Sequence, residues 1–92
     1  MAKFLMLGKY SADAIKGITA SRTKKVTDAI KKSGGKVNSM YALLGRYDLA
    51  FVIDFPSVKD ALRASIAVTK ITGIGFTTSP AITIEEFDKL IA

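Results

Sequence analysis

Two short segments of this chain are apolar on both of the faces that a strand presents. In Lys3–Gly8, Phe4 and Met6 alternate with Leu5 and Leu7, and in Leu49–Phe55, Leu49, Phe51 and Ile53 alternate with Ala50 and Val52. Successive side chains of a strand point to opposite sides, so such segments need cover above and below. Any fold for this chain must place both strands inside a sheet and find an apolar surface for each side of it.

The remaining segments say what cover is available. Ser11–Thr19 reads as a polar turn or a short helical piece around Ile15 and Ile18. From Arg22 the spacing turns helical, with Val26, Ala29, Ile30 and Ser33 on one side and Lys24, Lys25, Lys31 and Lys32 elsewhere. Ser21 is the expected N-cap, and Gly34 and Gly35 end the helix, the first in a left-handed cap position. Lys36–Leu44 reads as a second strand, Gly45–Asp48 as a short connection, and Leu49–Phe55 as the third strand, stopped by Pro56. Ser57 followed by Asp60 resembles a capping box. It opens a helix over about Val58–Thr72, with Leu62, Ile66 and Thr69 as its apolar stripe and Gly73 at its end. Phe76–Ile84 is the expected fourth strand, with Pro80 inside it, and Glu85–Ile91 a short helix. No linker or repeat divides residues 1–92, which read as one domain.

The order βαββαβ, with a tight hairpin between the middle strands and right-handed helical crossovers elsewhere, predicts an α+β, ferredoxin-like sheet of strand order 4-1-3-2. Strand four then lies on an edge, where Pro80 is tolerable. Two helices cover one face of a four-stranded sheet. The 92 residues hold no further element for the other. The economical solution is a second copy packed sheet against sheet, a homodimer or an assembly of dimers. Phe4, Met6, Phe51 and their neighbours are expected to form the patch it covers, since monomers rarely expose such areas.

Composition excludes several chemistries. The chain has no Cys, no His and no Trp. Disulfides, thiolate nucleophiles, zinc–sulfur sites and histidine-based triads are therefore absent, and no cofactor or metal is expected. No apolar run approaches the roughly 18 residues of a membrane span, and the apolar stretch in Met1–Lys9 is too short for a secretory signal. The expectation is a cytoplasmic protein without membrane contact. The net charge of +6 is unevenly placed. Lys16, Arg22, Lys24, Lys25, Lys31, Lys32 and Lys36 face a single acid, Asp28, in one segment, while the rest of the chain is balanced. No aromatic residue interleaves with these bases, so they read as a solvated helix face rather than a nucleic-acid surface. The RNA-recognition pattern on a third strand matches only in Ala50-Phe51-Val52, and its flanks are occupied by Tyr47, Asp48, Leu49 and Asp54.

The segment Gly45-Arg46-Tyr47-Asp48 before a hydrophobic strand resembles the signature of the GYD-domain family, with Arg46 splitting the Gly from the Tyr-Asp. Leu7-Gly8-Lys9-Tyr10, Gly34-Gly35-Lys36-Val37, Phe76-Thr77-Thr78 and Ile84-Glu85-Glu86-Phe87 resemble its first strand end, helix exit, last strand and tail. Ser79-Pro80 departs from the continuous strand expected there. The resemblance implies a dimeric α/β barrel and says little about activity. The layout and the Gly-x-Tyr-Asp hairpin are also similar to the effector-binding domains of Lrp/AsnC regulators, which implies small-molecule binding between subunits near this hairpin.

The candidate site gathers at that hairpin. Asp48 is either a carboxylate for a ligand amine or general-base work, or a turn residue accepting backbone amides. Gly45 supplies backbone freedom. Tyr47 either stacks on a ligand or packs its ring. Arg46 is an exposed turn residue or an anion contact. Lys9 and Tyr10 end the first strand, and a Lys9–Asp54 ion pair is expected near them. Thr77 and Thr78 come beside strand one, with one hydroxyl facing the helices or the partner, and are either ligand contacts or simply good strand formers. Together these residues favour binding of a small polar metabolite. The alternatives are a cofactor-independent enzyme of the monooxygenase or isomerase kind, drawing on Asp48, Asp54, Tyr10, Tyr41 and Tyr47, and a structural or interaction protein.

Overall fold

The central strand pair governs the architecture. In the computed structural model, which describes residues 1–92, β1 (Ala2–Lys9) runs antiparallel to β3 (Leu49–Phe55) on one side and to β4 (Gly75–Ala81) on the other. The sheet is completed by β2 (Lys36–Ala42) beside β3, giving the order β2-β3-β1-β4. This is the expected order read from the other edge. The helices are α1 (Ala12–Lys16), α2 (Ala20–Lys32), α3 (Val58–Thr72) and α4 (Ile84–Ile91). None is long and apolar enough to cross a membrane.

Register decides which side chains share a face. Phe4 lies opposite Ile53 and Met6 opposite Phe51. These four and Phe55 join Val26 and Ile30 of α2 and Ala61, Ala64 and Val68 of α3 in one core. The rings of Phe4 and Phe55 meet edge to face, 5.7 Å between centroids. Phe4, Met6 and Phe51 are therefore the covered set, not the open patch expected for them. The open face carries the other alternation, Leu5 and Leu7 of β1 with Ala50 and Val52 of β3, all half-buried. The sequence period puts apolar residues on both sides but does not say which side the helices take.

In α3 the expected stripe is also displaced. Ala61, Ala64, Val68 and Thr72 face the sheet, whereas Leu62 and Ile66 are exposed. The large side chains of this core come from the strands, so the helix must come close and present small ones. Thr69 is exposed, and its hydroxyl donates to the Ile74 carbonyl at 2.8 Å.

Several boundaries shift for local reasons. Thr19, not Ser21, caps α2, its hydroxyl accepting the Arg22 amide at 3.0 Å. The short helix α1, capped by Ser11, leaves Thr19 as the last extended residue before the turn. Strand β2 stops at Ala42, because the Leu43 amide turns to the Asp48 carbonyl at 2.8 Å and Leu44 is fully exposed. Strand β4 ends at Ala81, and Ile84 already belongs to α4, whose cap is Thr83. Pro80 remains inside β4 opposite Phe4, and this edge strand has only one ladder to lose an amide from. Ser57 caps α3 through the Asp60 amide, and Gly73 ends it at φ 74°, a conformation that suits glycine.

Candidate functional site

The chain converges on one end of the sheet, where β1 leaves it and β3 enters. The residue that ties this end is Asp48. Its amide donates to the Gly8 carbonyl at 2.8 Å, and its carboxylate accepts the Tyr10 amide at 2.8 Å. The Lys9 ammonium lies 4.0 Å from the same carboxylate. Asp48 thus accepts a backbone amide, as a turn residue does, but from a strand 38 residues away in sequence. The hairpin itself bends at Gly45, with φ 137°, and Arg46 lays its guanidinium 5.8 Å from the centre of the Tyr47 ring.

Beside this knot, on the helix side of the sheet, is a cavity of about 220 Å³. Val26, Met40, Leu49, Phe51 and Ile74 wall it, and Tyr10, Ile18, Thr19, Arg22 and Thr23 surround it. Nine of its 12 lining residues are hydrophobic, and Arg22 is its one charged residue. Arg22 stands in the first turn of α2, half-buried. One guanidinium nitrogen donates to the Ala14 carbonyl, and the group lies 5.6 Å from the centre of the Tyr10 ring. No carboxylate pairs with it, although Lys3, Lys9, Lys24 and Arg63 all have acidic partners. Gly17 leaves room for this placement, since a Cβ there would fall 2.9 Å from the guanidinium. The arrangement is a guanidinium fork held by a carbonyl and an aromatic ring and lining a mainly apolar space. A fork so held can donate charge-assisted hydrogen bonds to an anion.

The other candidates divide between this end and elsewhere. Tyr10 lines the cavity, and Lys9 and Asp48 support the strand end next to it. Arg46 and Tyr47 lie in the adjoining hairpin but outside the lining. Asp54 is at the opposite end of the sheet. It pairs with Lys3 at 3.5 Å, so the expected Lys9–Asp54 pair does not form. The cause is direction: antiparallel pairing sets the end of β1 against the start of β3, opposite Leu49. A hydrogen bond from the Asn38 side chain is the main influence holding the Asp54 carboxyl below the ordinary carboxylate range; partial burial opposes it, and the charges of Lys3 and Lys36 assist. Thr78 turns to the helices, its hydroxyl 2.6 Å from that of Ser65 on α3. Thr77, exposed and opposite Leu7, lies on the open face.

Sequence reasoning missed Arg22 as a site residue by reading it among the bases of a solvated face. A signal was present: it precedes Val26 by four and so shares the apolar side of α2, unlike Lys24 or Lys25.

The sequence matches the GYD domain family over residues 4–91. No curated protein matches it in sequence. Among solved structures it is similar to the leucine response regulatory protein LrpA of Mycobacterium tuberculosis, with a TM-score of 0.59 over 89% of this chain at 7% identity. The chain spans about half of that regulator, 51% of its length. At such identity the likeness is one of fold.

Proposed function

This chain belongs to the GYD domain family along nearly its whole length, and we propose that the domain binds a small organic anion, a carboxylate carried on an apolar or aromatic body, in the cavity beside the Gly45–Asp48 hairpin. The observation that carries this reading is Arg22, half-buried, held in place, without a carboxylate partner, and lining a space walled mainly by hydrocarbon. A cationic fork in such surroundings gains a charge-assisted hydrogen bond when an anion arrives and gives up little hydration. At about 220 Å³ the space is below the roughly 300–1,000 Å³ of sites for drug-sized ligands, so the ligand is metabolite-sized. Asp48 acts as the support of this end rather than as a base, because its carboxylate already serves the Tyr10 amide. We read the role as binding rather than catalysis, since no carboxylate lines the cavity and Arg22 is its one charged residue.

The same reading includes a homodimer through the open sheet face. Leu5, Leu7, Ala50 and Val52 form an apolar strip there, beside the Lys3–Asp54 pair. A two-fold operation lays one strip on its copy, which removes an apolar surface from water without another element.

Titration calorimetry with phenylacetate and its uncharged isostere phenylacetamide tests the site. Phenylacetate is expected to bind at least about tenfold more tightly, and Arg22→Gln to weaken it by about 10- to 100-fold, as the loss of a hydrogen bond to a charged group does. The amide should be nearly indifferent to the substitution. Equal binding of acid and amide, or an unaffected Arg22→Gln protein, would refute the anion site.

A further inference from the structure

The helix α4 is weakly attached to the rest of the chain. None of its residues is buried, and it makes none of the extensive contacts between elements that build the core. Yet its pattern is strongly amphipathic. At 100° per residue Ile84, Phe87, Leu90 and Ile91 gather on one side, and they are between 47% and 74% exposed. Isolated helices shorter than about 12–15 residues are marginal in water, so an eight-residue helix with such a face calls for a surface to lie on.

A matching surface exists on α3. Val58, Leu62 and Ile66 follow one another at four-residue intervals, are between 49% and 66% exposed, and contribute nothing to the core. At 1.5 Å per residue this stripe is about 12 Å long, and the α4 face from Ile84 to Ile91 about 11 Å. The charges beside the two are complementary. The polar side of α4 holds Glu85, Glu86 and Asp88 against one base, Lys89. The exposed surface of α3 holds Lys59, Arg63 and Lys70 against one acid, Asp60, which Arg63 already engages at 3.1 Å.

We propose that α4 of one copy lays its Ile84–Phe87–Ile91 face on the Val58–Leu62–Ile66 stripe of α3 in a second copy, joining chains through an interface separate from the open sheet face. The occupant is another copy of this chain because both halves of the contact are present on every molecule, matched in length and opposite in charge. The acidic flank of α4 also disfavours an anionic lipid surface. Since α3 covers one face of the sheet and the Leu5–Val52 strip lies on the other, the two contacts can coexist. A chain using both builds assemblies larger than a dimer.

The absence of cysteine makes the contact directly testable. Ile66→Cys and Phe87→Cys proteins are prepared separately, mixed in equal amounts and mildly oxidised, with Leu44→Cys on the exposed hairpin as the collision control. The mixture should form the 66–87 disulfide between chains at least about tenfold faster than pairs involving position 44, because docking raises the local thiol concentration. Charge reversal by Glu85→Lys with Glu86→Lys should slow it, and adding Lys59→Glu with Arg63→Glu to the Ile66→Cys partner should restore it. In the double variant Ile66→Cys/Phe87→Cys the linked product should run as joined chains. A product of monomer mass, meaning that α4 folds back on its own α3, would overturn the proposal. So would a 66–87 link no faster than the control, the outcome for an α4 that serves a membrane or an unrelated protein.

Discussion

Single carboxylates do two different jobs in this molecule. Asp48 joins the hairpin to β1 through the Tyr10 amide, and replacing it separates the acceptor from the charge. Asp48→Asn keeps an oxygen for that amide and should cost little. Asp48→Ala leaves a partly buried N–H without a partner and should lower stability by about 1–2 kcal/mol, read from urea unfolding midpoints. Asp54 instead responds to pH. Its native pKa lies below the ordinary 3.8. The unfolded carboxylate therefore takes up its proton first as pH falls. The stability Asp54 contributes is complete above the unfolded value and is lost as pH drops through the depressed native one. Acid unfolding of the wild type should show this loss, and Asp54→Asn should remove that part of the slope; an unchanged acid limb would show that the Asn38 and Lys3 contacts carry no linkage. The residue-level reading was only partly legible in the sequence. That Asp48 accepts a backbone amide followed from its place in a turn, but the donor is 38 residues away and becomes visible only once β1 and β3 are paired. Arg22 was hidden by its neighbours, since a run of bases looks uniform until the helix phase separates the one on the apolar side.

At the scale of elements, α3 shows where periodicity misleads. Its limits were legible to the residue, because Ser57, Asp60 and Gly73 are stop and start chemistry with local causes. Its inner face was not, because two apolar stripes compete and only the bulk of Phe4, Phe51 and Phe55 across from it decides for the alanines. Ala64 is fully buried against that sheet. Ala64→Leu should therefore overpack the core and cost about 1–3 kcal/mol in chemical denaturation, although it adds an apolar residue to a helix. Leu62→Gln should leave the far-ultraviolet circular dichroism of the chain unchanged and act on assembly alone. In β1, Gly8 is a second place where an element depends on size. A Cβ there would lie 2.7 Å from the Phe76 ring, which packs across it from β4. The sequence offered the glycine, and only the β1–β4 register explains it.

For the whole molecule, the order of strands was readable because hairpin length and crossover handedness leave few alternatives. That both sheet faces carry apolar side chains was readable as well, from alternation in Lys3–Gly8 and Leu49–Phe55. Which set faces outward was not, and the open strip consists of Leu5, Leu7, Ala50 and Val52. The pairing proposed for this strip gives a sharp expectation. Val52→Lys places a charge at its centre and should lower the particle mass in light scattering at micromolar concentration, with the fold retained. The proposed anion site and the proposed α4 contact lie on other surfaces and should survive that substitution.

Under the proposed function Arg22 makes the cavity a receptor for a small apolar acid, and native mass spectrometry with excess phenylacetate is the decisive experiment, because subunit number and occupancy are read together. The wild type should fly as an even-numbered assembly carrying one phenylacetate per chain, and Arg22→Gln as the same assembly with most of that mass gone. Equal phenylacetate occupancy in both proteins, or none in either, would contradict the account.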